Sequence, residues 1–340
     1  MRRRTAGLSL AALLLPAILW AAPRGSEPRH DPAQVPALPS QIRRVEPAMV
    51  GIHVEVPRDR PSVLTLGAER WGSGVIFDGK AGYALTVSYV LLDAGVVEVS
   101  LRDGDKVPAT LVGLDLEVGL GVIKLQGAGP WPSADFGDSA KVAAGAVTGT
   151  VGVAEDGTLV ATPSRVDSTG PFTAAWEYML DRAFLVSPHN AAFGGGALVD
   201  SEGRLIGITS LRLGAPPHVN LAIPIEKFLP GKDELVAKGR VASRRPRPWL
   251  GLYTSSLEGG GVAISGVSPF GPARAAGLRA GDVIVRLNGE KVLRQEDFYA
   301  RLWQGAVGQN VEIVVLRDSR FQAITVKPED RYRVYRTSGK

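Results

Sequence analysis

The stretch Ala192-Phe193-Gly194-Gly195-Gly196-Ala197-Leu198-Val199-Asp200 organises the rest of the sequence. Three successive glycines precede a short apolar run, and the pair Glu202-Gly203 marks a turn after it. Only glycine adopts positive φ without steric cost, so the cluster predicts a backbone that turns sharply or closely approaches another group. The stretch therefore predicts a tight loop that leads into a buried β-strand.

A glycine cluster of this kind has two functional interpretations. A phosphate-binding loop requires a Lys-Ser or Lys-Thr pair and a following helix, whereas Ala197 follows here and opens a strand. The other interpretation is a nucleophile loop, in which consecutive backbone N–H groups form an oxyanion hole beside a serine. The stretch contains no serine, so the chemistry depends on the rest of the chain.

Composition limits the kinds of site that the chain can hold. The 340 residues predict about two domains, and 45% hydrophobic residues suffice for ordinary cores. The absence of cysteine excludes disulfides, thiolate metal ligands and a cysteine nucleophile. Four histidines lack the spacing and the neighbouring carboxylates of a metal site, so we expect neither metal nor cofactor. These histidines are His30, His53, His189 and His218.

The ends of the chain carry most of the net charge of +5 and the targeting information. Three arginines and an apolar run in residues 1–22 predict an export signal, or an N-terminal membrane anchor if it is not cleaved. We therefore expect a periplasmic or cell-envelope location. The other basic runs, at 240–247 and 331–340, have the pattern of solvated segments at a linker and at a chain end, so nucleic acid is not an expected partner.

Short apolar runs separated by turn pairs such as Asp78-Gly79 and Asp156-Gly157 recur between residues 51 and 223. Many short strands with this punctuation predict a mostly-β fold with two barrels. Two of the predicted strands, 159–166 and 183–186, are separated by a long stretch without a prediction. A basic linker with two prolines, 241–248, precedes a second unit with strands and helices at 272–276 and 296–304.

Several motifs occur in a fixed order along the first unit and resemble those of the HtrA/DegP-like family of trypsin-fold serine proteases. They are Trp71-Gly72-Ser73-Gly74-Val75, Gly82-Tyr83-Ala84-Leu85-Thr86, the glycine cluster, Gly203-Arg204-Leu205-Ile206-Gly207 and Asn220-Leu221-Ala222-Ile223-Pro224. The resemblance implies a chymotrypsin/trypsin-like double β-barrel at 41–240, after a Pro-rich spacer at 23–40. It also implies an α+β PDZ domain at 249–330 and a basic tail at 331–340.

The PDZ resemblance rests on Gly271-Pro272-Ala273 and on Ala276-Gly277-Leu278-Arg279-Ala280-Gly281-Asp282. Backbone N–H groups of a glycine-containing turn hold a terminal carboxylate in such domains, and the adjacent strand edge accepts the peptide as an added strand. The helical spacing puts Phe298 and Leu302 on one face, which is either core or the wall of a side-chain pocket. The implied peptide-binding residues are Trp249, Leu250, Gly251, Leu252, Phe298 and Leu302, and the implied partners are peptide or protein C-termini.

The resemblance also assigns positions to a Ser-His-Asp triad. The histidine position holds Tyr89, the aspartate position holds Gly119, and the serine position holds Gly194. Tyrosine with its ordinary pKa near 10 is a poor general base at neutral pH, and glycine offers neither nucleophile nor carboxylate. The former oxyanion loop is Ala192, Phe193 and Gly194, and we expect the Phe193 ring to fill the space in front of it.

These observations predict an exported, catalytically inactive protease homologue that binds C-termini through its PDZ domain. The expected role is scaffolding, chaperone-like or regulatory, in envelope protein quality control. The alternative is a serine-type endopeptidase or other hydrolase with a relocated site that uses Ser187 or Ser88 with His189. The resemblance further implies an active HtrA-type protease as a partner and assembly as a homotrimer, with membrane contact only through an uncleaved N-terminal segment.

Overall fold

Two closed β-barrels and a third, smaller β-sheet domain follow one another along the chain. The computed structural model describes residues 39–339, all of which belong to the same compact unit. The expected export signal at 1–22 and nearly all of the Pro-rich spacer lie outside the described residues. No helix within 39–339 has the length and apolarity needed to span a bilayer.

The first barrel consists of six antiparallel strands in the order β1-β2-β3-β6-β5-β4. They are β1 Met49–Glu55, β2 Glu69–Asp78, β3 Tyr83–Val87, β4 Val96–Ser100, β5 Lys106–Asp115 and β6 Leu120–Leu125. Three short helices accompany them, namely α1 Pro39–Val45, α2 Val63–Leu66 and α3 Ser88–Leu91.

The second barrel closes in the order β10-β11-β12-β9-β8-β7. Its strands are β7 Val147–Val153, β8 Leu159–Ala174, β9 Tyr178–Ser187, β10 Ala197–Val199, β11 Leu205–Leu213 and β12 Val219–Pro224. Helix α4 Lys232–Lys238 follows the barrel and ends at Gly239, whose φ of 75° suits the left-handed end of a helix.

The two barrels share one connected core. Leu85 and Leu120 of the first barrel and Val199 and Leu205 of the second are fully buried members of it. Burial of each such side chain contributes about 1.5–3 kcal/mol, so the junction between the barrels is held firmly. The loops that carry the predicted triad positions lie at this junction.

Strands β8 and β9 extend much further than the predicted strands. They pair as a long hairpin up to Ala174 opposite Tyr178. Residues 174–178 are called the hairpin tip below. Pro163, Gly170 and Pro171 interrupt the apolar pattern of β8, which is why the sequence predicts only its first half.

The third domain is an antiparallel sheet covered by two helices. Its strands are β14 Leu252–Ser256, β15 Val262–Val267, β16 Val283–Leu287, β17 Glu290–Lys291, β18 Val311–Arg317 and β19 Arg320–Val326, and β14 is an edge strand. The two helices are α5 Pro272–Ala275 and α6 Gln295–Gln304. Strand β13 Pro248–Trp249 pairs with β20 Glu329–Asp330, which helix α7 Arg331–Val334 follows.

The segments at 241–248 and 331–340 both contact the first barrel. The Nη1 atom of Arg244 donates to both carboxylate oxygens of Asp115, at 2.8 and 2.6 Å. The Tyr332 hydroxyl accepts a hydrogen bond from the backbone N–H of Leu116, at 2.9 Å. The backbone N–H of Arg336 donates to the Asp93 carboxylate. These contacts hold the third domain close to the barrels.

Candidate functional site

The three predicted triad positions lie together at the junction of the barrels. Tyr89 is in helix α3, and a Cβ atom built on Gly194 would lie 3.1 Å from its hydroxyl oxygen. The backbone N–H of Ser88 donates to the carbonyl of Gly119, at 2.8 Å. The chain therefore brings Tyr89, Gly119 and Gly194 close to one another.

The side chain of Tyr89 already has a hydrogen-bond partner. Its hydroxyl donates to the carbonyl of Ser210, at 2.7 Å. Burial raises the pKa of this phenol above its ordinary value. Tyr89 therefore stays protonated at neutral pH, and its hydroxyl proton is engaged by the carbonyl of Ser210.

Gly119 occupies a position that accepts no side chain without strain. Its φ is 86°, and a Cβ atom there would lie 2.8 Å from the hydroxyl oxygen of Tyr178. Such an approach is much closer than van der Waals contact, and L-residues rarely adopt that φ. A carboxylate at this position would need Tyr178 to move.

The glycine loop makes the close backbone approach that its sequence predicts. Gly194 accepts a hydrogen bond from the backbone N–H of Ser73, at 2.7 Å. Gly195 has a φ of 89°, and a Cβ atom there would overlap the carbonyl oxygen of Ser73. The Thr209 hydroxyl donates to the carbonyl of Phe193, at 2.6 Å. The loop is therefore packed against both barrels through its backbone.

A buried amide side chain engages one N–H group of the predicted oxyanion loop. The N–H of Ala192 donates to Oδ1 of Asn190, at 2.8 Å. Asn190 is 1% exposed, and its Nδ2 donates to the carbonyls of Thr150 and Val160. This N–H therefore points at an oxygen of the chain itself and not at open space.

Ser187 and His189 of the alternative hydrolase site have other interaction partners. The Ser187 hydroxyl donates to the carboxylate of Asp167, at 2.8 Å. The His189 ring lies edge-on to His218, with 5.4 Å between the ring centroids. Within residues 39–339 no described contact joins His189 to Ser187 or to Ser88.

The predicted carboxylate-binding loop of the third domain holds a carboxylate from the second barrel. The backbone N–H groups of Leu250, Gly251 and Leu252 donate to the two carboxylate oxygens of Glu177, at 2.9, 2.7 and 3.0 Å. Gly251 has a φ of 81°, and a Cβ atom there would lie 2.8 Å from Cα of Gly271. The loop thus has the backbone conformation needed to converge three N–H groups on one anion.

The rest of the hairpin tip lies in the groove between strand β14 and helix α6. The N–H of Thr254 in the edge strand β14 donates to the carbonyl of Ala175, at 2.8 Å. The hydroxyl oxygen of Tyr299 accepts from the N–H of Glu177 and lies 3.0 Å from the carbonyl oxygen of Ala174. Gln295 donates through Nε2 to the same carbonyl, at 3.0 Å. Helix α6 and strand β14 therefore both contact the tip.

Glu177 is 2% exposed and has a φ of 54°. Burial raises the pKa of Glu177 to about 7, although the three backbone donors and the Arg331 guanidinium act in the opposite direction. Docking of this carboxylate therefore includes a substantial cost of removing it from water.

The remaining predicted peptide-binding residues are buried. Phe298 and Leu302, at 0% and 1% exposed, belong to the core of the third domain. The Trp249 ring meets Tyr335 edge-on, with 6.0 Å between the ring centroids. The face that Phe298 and Leu302 share is therefore part of the core, which is one of the two interpretations that the sequence allows.

Comparison with known proteins agrees with this architecture. Residues 72–208 match the model of the trypsin-like peptidase domain, and residues 248–327 match that of the PDZ domain. A serine protease Do-like HtrA of Lactobacillus helveticus is 31% identical over 291 residues, which cover 76% of this chain and 68% of that protein. The chain belongs to the HtrA family of trypsin-like serine proteases.

Other HtrA proteins align with most of this chain. The serine endoprotease DegS of Escherichia coli (strain K12) is 28% identical over 300 residues, which cover 82% of each chain. The solved structure of the HtrA-type protease AlgW with tripeptide is 26% identical, with a TM-score of 0.55 over 87% of this chain and 98% of that one. The predicted mostly-β fold, a trypsin-like domain followed by a PDZ domain, is confirmed.

The chain is shorter than several HtrA relatives. It spans 64% of the serine protease Do-like HtrA of Bacillus subtilis (strain 168). It spans 57% of the probable periplasmic serine endoprotease DegP-like of Marinomonas sp. (strain MWYL1). The second of these relatives is named as a probable periplasmic protein.

The sequence patterns do not single out two residues that matter at these sites. Asn190 precedes Ala192 by two positions, which is the spacing of a local Asx turn and was available as a signal. Glu177 lies in Ala175-Trp176-Glu177-Tyr178, which has no periodicity, and its partners are 73 to 75 positions away. No local pattern predicts a contact of that kind.

Proposed function

We propose that this chain is a catalytically inactive member of the HtrA family that binds peptide or protein C-termini through its PDZ domain. The observation that carries the proposal is the set of residues at the junction of the barrels. Tyr89, Gly119 and Gly194 lie together where the resemblance assigns a base, an orienting acid and a nucleophile. None of the three supplies its assigned chemistry.

Two further features support inactivity. The Tyr89 hydroxyl donates a hydrogen bond to the carbonyl of Ser210, and the N–H of Ala192 donates one to the side chain of Asn190. In serine proteases, loss of a triad residue leaves about 10³- to 10⁴-fold acceleration over water, which comes from substrate binding and the oxyanion hole. Here the oxyanion loop also has an internal partner, so we expect less than this residual rate.

Peptide binding is supported by the convergence of N–H groups in the loop 250–252 and by the edge strand β14 beside it. A structurally similar HtrA-type protease carries a tripeptide according to its description. We propose a scaffolding, chaperone-like or regulatory role in quality control of envelope proteins. An active HtrA-type protease and further copies of this chain are the proposed protein partners.

The purified full chain should neither cleave unfolded casein nor react with a fluorescent fluorophosphonate probe over several hours, whereas trypsin does both in parallel. We expect this result because the positions of the base and the nucleophile lack the side chains that these roles require. The variants Ser187→Ala and His189→Ala serve as controls for the relocated site. Cleavage or labelling of the wild-type chain that disappears in either variant would replace the proposal with the alternative hydrolase.

A further inference from the structure

The hairpin tip satisfies the same recognition groups that a peptide C-terminus uses. The Glu177 carboxylate receives three backbone N–H donors from Leu250, Gly251 and Leu252. The carbonyl of Ala175 receives the N–H of Thr254, in the edge strand that follows the loop. A carboxylate in the loop and backbone pairing along the edge strand are the two parts of this mode of peptide recognition.

We propose that the hairpin tip is an internal ligand of the PDZ groove, so that a peptide C-terminus binds only when Glu177 has left the loop. This inference rests on the proposed peptide-binding function and names how that same site is regulated. The competing ligand is a free α-carboxylate with an extended backbone behind it. An amidated peptide lacks the negatively charged carboxylate that takes the place of the Glu177 carboxylate in the loop.

The internal contact combines strong bonds with internal costs, as a displaceable ligand requires. Three charge-assisted hydrogen bonds and the contacts of Tyr299 and Gln295 hold the tip in place. Against them stand the burial of a carboxylate and a positive φ at Glu177, which is a residue other than glycine. An exogenous carboxylate recovers the bonds without the backbone strain.

The consequence for binding is quantitative. The apparent dissociation constant equals the intrinsic constant divided by the fraction of molecules with an open groove. If the tip occupies the groove in nine molecules of ten, peptides bind about tenfold more weakly than to the free groove. Removal of the Glu177 carboxylate should recover up to that factor.

The test uses the full chain and the variants Glu177→Ala and Glu177→Gln. The matched control is Asp181→Ala, an exposed carboxylate of the same hairpin that pairs with Lys227 and not with the PDZ domain. The probes are fluorescein-labelled octapeptides that end in Val, Phe or Tyr, each with a free and with an amidated C-terminus. Binding is measured by fluorescence anisotropy, and circular dichroism melting establishes that every variant is folded.

We expect free peptides to bind Glu177→Ala about tenfold more tightly than the wild type or Asp181→Ala, and Glu177→Gln to lie between them. Amidated peptides should gain nothing. Equal affinity of the wild type and Glu177→Ala for free peptides would overturn the internal ligand. Equal binding of free and amidated peptides to Glu177→Ala would instead contradict the proposed recognition of C-termini.

Hydrogen exchange without peptide tests the contact independently of any ligand. The amides of Leu250, Gly251, Leu252 and Thr254 should be protected in the wild type and should exchange at least about tenfold faster in Glu177→Ala but not in Asp181→Ala. Protection of this kind supports docking even if no probe peptide binds, and the proposed function alone would then fail. Loop amides that exchange equally fast in the wild type and Glu177→Ala would refute docking.

Discussion

The glycine loop of the second barrel and the loop 250–252 of the PDZ domain both direct backbone N–H groups at an oxygen of the chain itself. In the barrel the acceptor is the amide of Asn190, two residues before the N–H of Ala192. In the PDZ domain it is the carboxylate of Glu177, which lies 73 residues before Leu250. The contact that closes the barrel loop is local and involves an uncharged amide. The contact that closes the PDZ loop joins distant parts of the chain and involves a carboxylate.

The difference has a consequence for function. A closure within one turn forms together with the turn and opens only if the loop unfolds. A contact made by a hairpin from another domain can open while both domains stay folded, because the bonds that break join the two domains and lie within neither. We therefore interpret the barrel loop as permanently closed and the PDZ loop as reversibly closed. The following predictions test each side of this comparison.

The largest effect is expected for Gly119→Asp, the substitution that would restore an acidic residue beside Tyr89. A Cβ atom at this position lies 2.8 Å from the Tyr178 hydroxyl oxygen and requires a φ of 86°. We expect a loss of about 3 kcal/mol in the free energy of unfolding, measured by urea denaturation.

The matched control for this change is Gly145→Asp. Gly145 has a φ of 88° and no atom within 4 Å of a built Cβ, so it isolates the backbone cost. We expect that cost to be about 1 kcal/mol or less, since aspartate tolerates positive φ better than most residues. An equal loss in the two variants would show that Tyr178 yields easily and that the barrel site is not closed by packing.

The second prediction concerns Asn190→Ala in the barrel loop. The change leaves the N–H of Ala192 and the carbonyls of Thr150 and Val160 without this partner. We expect a loss of about 2–3 kcal/mol in stability and faster hydrogen exchange at Ala192, with no gain of hydrolysis.

Thr148→Val is the control, because it removes a buried hydroxyl pair with Ser164 in the same barrel without touching the loop. It should cost about 1 kcal/mol and leave exchange at Ala192 unchanged. If Asn190→Ala left the Ala192 amide as protected as before, the local closure would not depend on Asn190.

The smallest effect is the pH dependence of peptide binding. Burial raises the pKa of docked Glu177 to about 7, whereas a free glutamate has a pKa of about 4.3. The docked form therefore holds a proton more tightly, and docking is strongest below about pH 4 and weakens as the pH rises to about 7. From pH 6 to pH 8, peptide affinity of the wild type should rise about tenfold.

The groups that face Glu177 do not obscure this titration. Tyr253 of β14, Tyr299 of α6 and Tyr335 after α7 all have pKa values raised by burial, so they stay neutral up to pH 8. Arg331 of α7 is the facing cation, and its charge acts to lower the pKa of Glu177. A free peptide α-carboxyl has a pKa of about 3.3–3.7 and stays ionised from pH 6 to pH 8.

The anisotropy titration repeated at pH 6, 7 and 8 measures this effect, and Glu177→Ala should show no such rise. An affinity that falls between pH 6 and pH 8 in the wild type would contradict the reversible closure.

Local patterns in the sequence, together with the family resemblance, predicted the mostly-β architecture that the structure has. Glycines at 194–196, turn pairs between short apolar runs, and the helix that carries Phe298 each follow from backbone conformation and side-chain periodicity over a few residues. The identities of Tyr89, Gly119 and Gly194 are explicit in the sequence, and the proposed inactivity rests on them. These features need no knowledge of what lies far along the chain.

The acceptor of the N–H groups in the loop 250–252 was decided by folding over a longer distance. The apolar pattern of β8 is interrupted by prolines and a glycine, so its outer half and the hairpin tip had no signal. Glu177 looks like a surface carboxylate until docking brings it to Leu250, Gly251 and Leu252. A single carboxylate carries no information about its partner, because that pairing depends on where two separately folded domains meet.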